Sequence, residues 1–296
     1  MKTALFLSSL LLFYTTQLVS QTSITNKHPS GASTQFLSSD TAVINKNIET
    51  ARNYINKGDY EQADIYVKLA RKQAKAIKYD YALARTYNME GNVLSRKGKY
   101  AEGCSLVDSA LAIGIKTKDS LSMSLSYLLL GNLQCYMGKH AKGLDYYLKG
   151  LAIEERLKKT KYEYWFLGNI GNLYLDQRNY PKALEYSHKA AVAEQKANDQ
   201  SALLNSLLNI GQVYAALEKN DSALIYYEQS LKIADKLKDP FGISSSLVNL
   251  TQLHVRLKNY EKAMVLGLRG YNVTKANGFM DLYAYALMNL GCIKKS

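Results

Sequence analysis

Proline is nearly missing from this chain, with three in 296 residues. Since proline removes an amide donor and clashes with the preceding helical turn, its scarcity leaves almost the whole length free to form long helices. Cysteine is equally sparse. Cys104, Cys135 and Cys292 are odd in number and scattered, which excludes a disulfide framework and leaves at least one thiol free. Each falls in a predicted helix among small or apolar residues, where a small core side chain is the plain reading. A Cys104–Cys135 bridge is the alternative in an oxidising compartment. The four histidines, His28, His140, His188 and His254, share no metal-ligand spacing. Solvent-facing positions are expected for His28 and His140. No His-Glu-x-x-His, paired Cys-x-x-Cys, nucleophile elbow or phosphate-cradling glycine loop occurs. Glu154-Glu155 reads as a solvated charge pair on a long helix rather than an acid and a base. These absences argue against an enzyme, a cofactor and a metal.

No apolar run reaches the roughly 20 residues that span a bilayer. The longest, Thr3–Tyr14 behind Met1-Lys2, has a basic start and a short apolar body. It reads as a secretory signal over residues 1–20, cut after Leu18-Val19-Ser20. The competing reading, a buried N-terminal helix, lacks a polar face. Without a cysteine after the run, no lipid anchor is indicated. The expected destination is periplasmic or secreted. Residues 21–40 are Ser/Thr-rich with Pro and Gly and no apolar period, and read as a flexible leader. Asp40 and Thr41 are candidate caps for the first helix.

Charge is abundant but dispersed. The 38 Lys and Arg against 25 Asp and Glu give a formal charge of +13. Such a balance attracts acidic partners at long range. The lysines, however, gather in turns and junctions (Lys57, Lys97, Lys99, Lys118, Lys158, Lys159, Lys219, Lys238), the pattern of a solvated rim. Aromatic–basic interleaving and a recognition motif are both lacking, which argues against a nucleic-acid partner.

What the chain has in plenty is repetition. Ala51, Gly91, Gly131, Gly171, Gly211, Thr251 and Gly291 stand 40 residues apart without a slip. A fixed period in this range signals a solenoid of stacked units. Six helical pairs are predicted, over 41–80, 81–120, 121–160, 161–200, 201–240 and 241–280, with one more first helix at about 280–294. Turns such as Lys57-Gly-Asp-Tyr60 and Gln177-Arg-Asn-Tyr180 divide each pair, their Gly and Asn suiting the left-handed residue that ends a helix. Pro240 after Asp239 fits a capped helix start. Small residues recur in the second helices at Ala63, Gly103, Gly143, Ala183, Ala223 and Ala263, and again at Ala70, Ala110, Gly150, Ala190, Ser230 and Gly270. Tyr54, Tyr174, Tyr214, Tyr66, Tyr146, Tyr186 and Tyr226 fill the remaining space, so the 24 tyrosines read as mainly structural.

The Leu-Gly-x-x-Tyr…Ala…Ala arrangement, as in Ile210-Gly-Gln-Val-Tyr214…Ala223…Ser230, resembles the tetratricopeptide repeat over residues 41–296. The period is 40 rather than 34, the early Trp and closing Pro are absent, and each second helix is expected to run longer. This is similar to the long-repeat branch found in bacterial sensor and regulator proteins. The resemblance implies an all-α, right-handed superhelical solenoid whose first helices line a concave groove for peptides or partner segments. Transferred to this sequence, the groove takes in Asn92, Asn132, Asn172, Gln212 and Gln252, with Asn169, Asn209, Asn249 and Asn289 one turn earlier. Carboxamides donate and accept, so a row of them can grip a peptide backbone; the other reading is that they brace neighbouring helices. Arg52, Arg85, Arg96 and Arg256 suggest an acidic preference, joined by Tyr136 and by Trp165, for which covering the seam between repeats is the alternative.

Two functional expectations follow: an exported scaffold that binds a protein or peptide, or the sensory region of a histidine-kinase or helix-turn-helix type signalling protein. The apolar Leu282–Ile293 segment suggests self-association through the last helix.

Overall fold

The computed structural model describes residues 38–157 and 162–279, together with 282, 288 and 291. Twelve helices run through them: α1 (Ser38–Asn56), α2 (Tyr60–Ala76), α3 (Asp80–Arg96), α4 (Tyr100–Thr117), α5 (Ser120–Tyr136), α6 (His140–Leu157), α7 (Glu163–Asp176), α8 (Tyr180–Lys196), α9 (Gln200–Ala216), α10 (Asn220–Leu237), α11 (Pro240–Arg256) and α12 (Tyr260–Asn277). The chain divides into two compact units, residues 1–159 and 160–296. In the first, α1–α6 form three hairpins; in the second, α7–α12 form three more. Within each unit each helix packs on the next, and the first helices of neighbouring hairpins also touch: α1 with α3, α3 with α5, α7 with α9, α9 with α11. No strand occurs among the described residues. The fold is an all-α repeat solenoid. Helix α1 begins at Ser38, ahead of the expected start, so Asp40 lies in its first turn instead of before it. The signal segment, nearly all of the leader and most of the 280–294 helix, with Asn289 and Cys292, lie outside the described residues.

One closure ends helix after helix. A left-handed residue stands at Gly58, Lys78, Gly98, Lys118, Gly138, Arg178, Asn198, Glu218, Lys238, Lys258 and Gly278, with φ between 53° and 77°. The residue after it donates its amide back across the turn, as in Lys99 N to Leu94 O at 2.9 Å and Asp239 N to Ala234 O at 3.0 Å. These bonds occupy carbonyls that a helix end otherwise orphans. The same following residue often caps the next helix: Asp59, Asp119, Asn179, Asp199 and Asp239 each accept an amide with the side chain. This corrects one expectation. Asn179 does not take the left-handed position; Arg178 does, and Asn179 caps α8. The hairpin turn thus spends its short polar side chain on the orphan amides, where it gains a hydrogen bond. At the other end of that hairpin Asn198 does take the left-handed position.

Within a hairpin the helices meet at the glycine column. A glycine inside a helix costs about 1 kcal/mol relative to alanine, so four of them require a packing reason. A Cβ built on Gly131 would lie 2.3 Å from Tyr147 Cε1, and one on Gly211 would lie 2.6 Å from Tyr227 Cδ1. The facing column, sixteen residues on, is Val67, Val107, Tyr147, Ser187, Tyr227 and Gly267. In each facing pair at least one member is small. Ala51 faces Val67, glycines face Val107, Tyr147, Ser187 and Tyr227, and where the first helix carries the larger Thr251 the second carries Gly267. All twelve are buried. Sequence columns alone did not single out this partner, because its residue type changes from repeat to repeat.

The pairing is directly testable. Gly171→Thr should destabilise the protein by about 1–3 kcal/mol through overpacking, since a Cβ there meets Ser187 Oγ at 2.7 Å. Adding Ser187→Gly, which copies the Thr251/Gly267 arrangement, should recover part of the loss. Denaturant melts of both variants test this; a double variant no more stable than Gly171→Thr would refute the pairing.

Candidate partner-binding face of the first helices

The carboxamides anticipated as an open ladder are mostly interior. Asn92, Asn132, Asn169, Asn172, Asn209 and Gln212 are all at most 8% exposed, Asn249 is half-buried, and only Gln252 is exposed. The reason is geometric: first helices of adjacent hairpins touch within each unit, and this column points into the stack. Asn132 Oδ1 accepts from the Tyr147 hydroxyl at 2.7 Å, tying it to the ring that covers Gly131. The Nδ2 atoms of Asn92, Asn132 and Asn209, and both amide atoms of Asn169, are buried without a hydrogen-bond partner among the described residues. Each such group costs roughly 1–3 kcal/mol.

The aromatic and basic candidates are also engaged. Trp165 is 1% exposed, with ring centroids of Tyr162 and Tyr164 at 4.7 and 5.7 Å, which removes it from any open surface. Tyr136 is half-buried against Tyr100 at 5.5 Å. Arg52 is buried and donates to Glu49 at 2.7 Å, and Arg85 approaches the same carboxylate at 3.8 Å. Arg96 is half-buried. Arg256 is exposed and bonds the Ala215 carbonyl at 2.8 Å and Asn220 Oδ1 at 2.9 Å, bracing the preceding hairpin.

Other titratable groups need correction. Glu154 is not solvated: it is 2% exposed and accepts from Ser124 Oγ at 2.5 Å, linking α5 to α6. Its neighbour Glu155 is exposed. Glu194, one repeat later, is likewise buried and accepts from Ser206 at 3.0 Å. His140 is half-buried. His254 is buried in the tyrosine column, and burial lowers its pKa. No disulfide joins Cys104 and Cys135, and burial pushes the Cys104 thiol up. Among the described residues no three His, Cys, Asp or Glu converge as metal ligands, and no helix is long and apolar enough to cross a membrane.

What the first helices leave accessible is a different set. On α3 and α5, positions in the first half alternate between buried and half-buried, and the half-buried ones include Tyr81, Arg85, Leu121 and Leu125; on α9, Ser201 and Asn205 are half-buried with Ala202, Leu203 and Leu204 buried between them. The buried carboxamide column keeps its residue type from Asn92 to Gln212, whereas these positions change from aromatic to aliphatic to polar. Asp176 was missed by the sequence reading although it shares the 40-residue column of Arg96, Tyr136 and Arg256. It ends α7 half-buried, and burial pushes its carboxyl up to about 7.

A tetratricopeptide repeat family model matches residues 82–156 and 162–236. Among curated proteins, none matches the chain by sequence. Several solved structures are similar. A Rap protein complexed with competence and sporulation factor is 16% identical, with a TM-score of 0.63 over 83% of this chain and 73% of its own. NprR in complex with its cognate peptide NprX is 16% identical, with a TM-score of 0.60 over 88% of this chain and 73% of its own. A signal transduction ATPase with a tetratricopeptide repeat sensor, from Pyrococcus horikoshii, is 20% identical, with a TM-score of 0.64 over 83% of this chain and 39% of its own.

The raised carboxyl of Asp176 sets a pH dependence. An aspartate ordinarily titrates near 4, so between about 4 and 7 the folded chain holds a proton that the unfolded chain has lost. The stabilising contribution is complete below the unfolded value and is lost as pH rises through about 7. Asp176→Asn should therefore raise the melting temperature at pH 8 and flatten its fall between about pH 4 and 7. Parallel melting curves for both proteins across that window would contradict the assignment.

Proposed function

Because this chain belongs to the tetratricopeptide repeat family, we propose that it is a non-enzymatic scaffold that holds a partner protein or peptide on its first helices. The observation that carries this reading is the half-buried row on α3, α5 and α9, whose chemistry differs from helix to helix while the buried carboxamide column keeps its type. The carboxamides are sealed, so partner choice can be written in the accessible row. Tyr81 and Arg85 stand on α3, Leu121 and Leu125 on α5, Ser201 and Asn205 on α9. NprR, of similar fold, was crystallised with its cognate peptide and Rap with competence and sporulation factor, which supports the same use here.

An acidic preference belongs to the proposal. Two guanidiniums, Arg52 and Arg85, converge on the one carboxylate of Glu49, and the chain as a whole carries +13. Export is also part of it and rests on residues 1–20 alone, as pairing of two copies rests on the 280–294 segment. The sensor-bearing ATPase favours a second reading, in which these repeats are the sensory region of a signalling protein. An output domain encoded in the same reading frame or beside it would favour that version.

Site-specific photocrosslinking separates a first-helix surface from a second-helix one. A benzophenone residue at Leu125 or Asn205 should yield partner adducts in an envelope fraction. The same group at Glu185 or Glu228, exposed on second helices, should yield none. Adducts confined to the second-helix positions would overturn the proposal.

A further inference from the structure

The carboxamide stripe of the first helices ends, near each hairpin turn, in a position whose charge changes sign along the chain. Arg96, Tyr136, Asp176, Ala216 and Arg256 stand four residues beyond Asn92, Asn132, Asn172, Gln212 and Gln252, and therefore on the same side of their helices. In the last hairpin this position is a brace. Arg256 reaches back over the end of α9, donating to the Ala215 carbonyl at 2.8 Å and to Asn220 Oδ1 at 2.9 Å. One repeat earlier the same reach would run from α9 over the end of α7, with which α9 is in contact. The residue there is Ala216, exposed and too short to make it. The end of α7 that it leaves uncovered carries Asp176, next to Leu175, the counterpart of Ala215.

Asp176 is half-buried, yet neither of its carboxylate oxygens is sealed from solvent, and among the described residues no hydrogen bond or ion pair reaches them. Burial alone raises its carboxyl, with no nearby cation to oppose the rise. A carboxylate partly withdrawn from water without a partner costs stability, so packing does not account for it. The rest of this face in the second unit also lacks donors. Asn205 spends its Nδ2 on the Ser201 carbonyl at 3.2 Å and Asn249 spends its Nδ2 on the Ser245 carbonyl at 3.1 Å, each within its own helix. Their Oδ1 atoms are left as acceptors. Arg256, the basic residue of the stripe in this unit, is committed to the α9–α10 turn. The sign of the demand is thus opposite to that of Arg52 and Arg85 in the first unit.

We propose that Asp176 seats one basic side chain of the bound partner segment, whose cationic head lies over Ala216 and donates to the Asp176 carboxylate. The partner supplies the group that Arg256 supplies from within the chain one repeat later. Arginine suits the seat best, because its planar fork donates to both carboxylate oxygens at once. The inference rests on the first helices being the partner-binding face, and it is separate from the acidic preference assigned to Arg52 and Arg85.

Selection of a displayed library of random peptides on the full chain tests the seat. Enriched peptides should share an Arg or Lys at one fixed position, and replacing that residue by neutral citrulline should weaken binding about tenfold. Asp176→Asn should still select peptides but without the shared basic residue. Ala216→Arg, which places a guanidinium over Asp176 from within the chain, should do the same; if it fails to fold, Asp176→Asn decides the matter. Binding of a basic peptide should also lower the Asp176 carboxyl titration followed by NMR, a shift that a purely structural aspartate would not show. Peptides enriched without a common basic residue, or a basic requirement that survives Asp176→Asn, would overturn the seat and leave the first-helix reading standing. Enrichment of no peptide, or of peptides that crosslink to second helices alone, would remove both.

Discussion

Each hairpin closes around a point where two helix backbones nearly touch, and the rest of the structure depends on that approach. The facing columns running from Ala51/Val67 to Thr251/Gly267 show that at least one of the two residues at each crossing is small. Interiors pack at crystal-like density, so a crossing tolerates neither two large side chains nor two absent ones. With this distance set, the flanking small residues Ala63, Ala183 and Ala223 bury completely, and the tyrosines are held at the rim of the hairpin.

Helix ends supply the second regularity. The left-handed residue recurs every 20 residues from Gly58 to Gly138 and again from Arg178 to Gly278, so the chain reverses after equal lengths and successive hairpins stay in register. Non-glycine residues fill seven of these positions at a cost of about 1–2 kcal/mol each. The backbone hydrogen bonds of the closure, with the caps at Asp119, Asp199 and Asp239, offset that cost. Register is what allows one repeat to be compared atom by atom with another, and hence what makes departures informative.

Departures fall into two kinds. Some are structural exchanges, such as Thr251 with Gly267, where a change in one helix is met by its partner. Others have no such answer in the packing. Glu90 in an aliphatic column, and Leu94 with Leu106 where rings stack elsewhere, leave an open, mostly charged groove. Asp176, held near neutrality by burial, is another polar group that stacking does not require. In a protein whose architecture is repetitive, function resides in the positions that break the repetition.

The hairpins of the described residues, their turns, the Asp239-Pro240 start and the close-packed small columns were legible from the sequence, because a strict 40-residue period translates directly into equivalent environments. Outlining the candidate surface was harder. Asn92, Asn132 and Asn172 share a face with Asn169 and Asn209 on paper, yet whether that face meets solvent or the next helix depends on how closely first helices approach, a distance no single helix encodes. The same holds for Trp165, Glu154 and Asn179. Periodicity, a local property, determined which side chains are equivalent; only the contact between neighbouring hairpins decided which of them are sealed, because burial is produced jointly by two segments and belongs to neither alone.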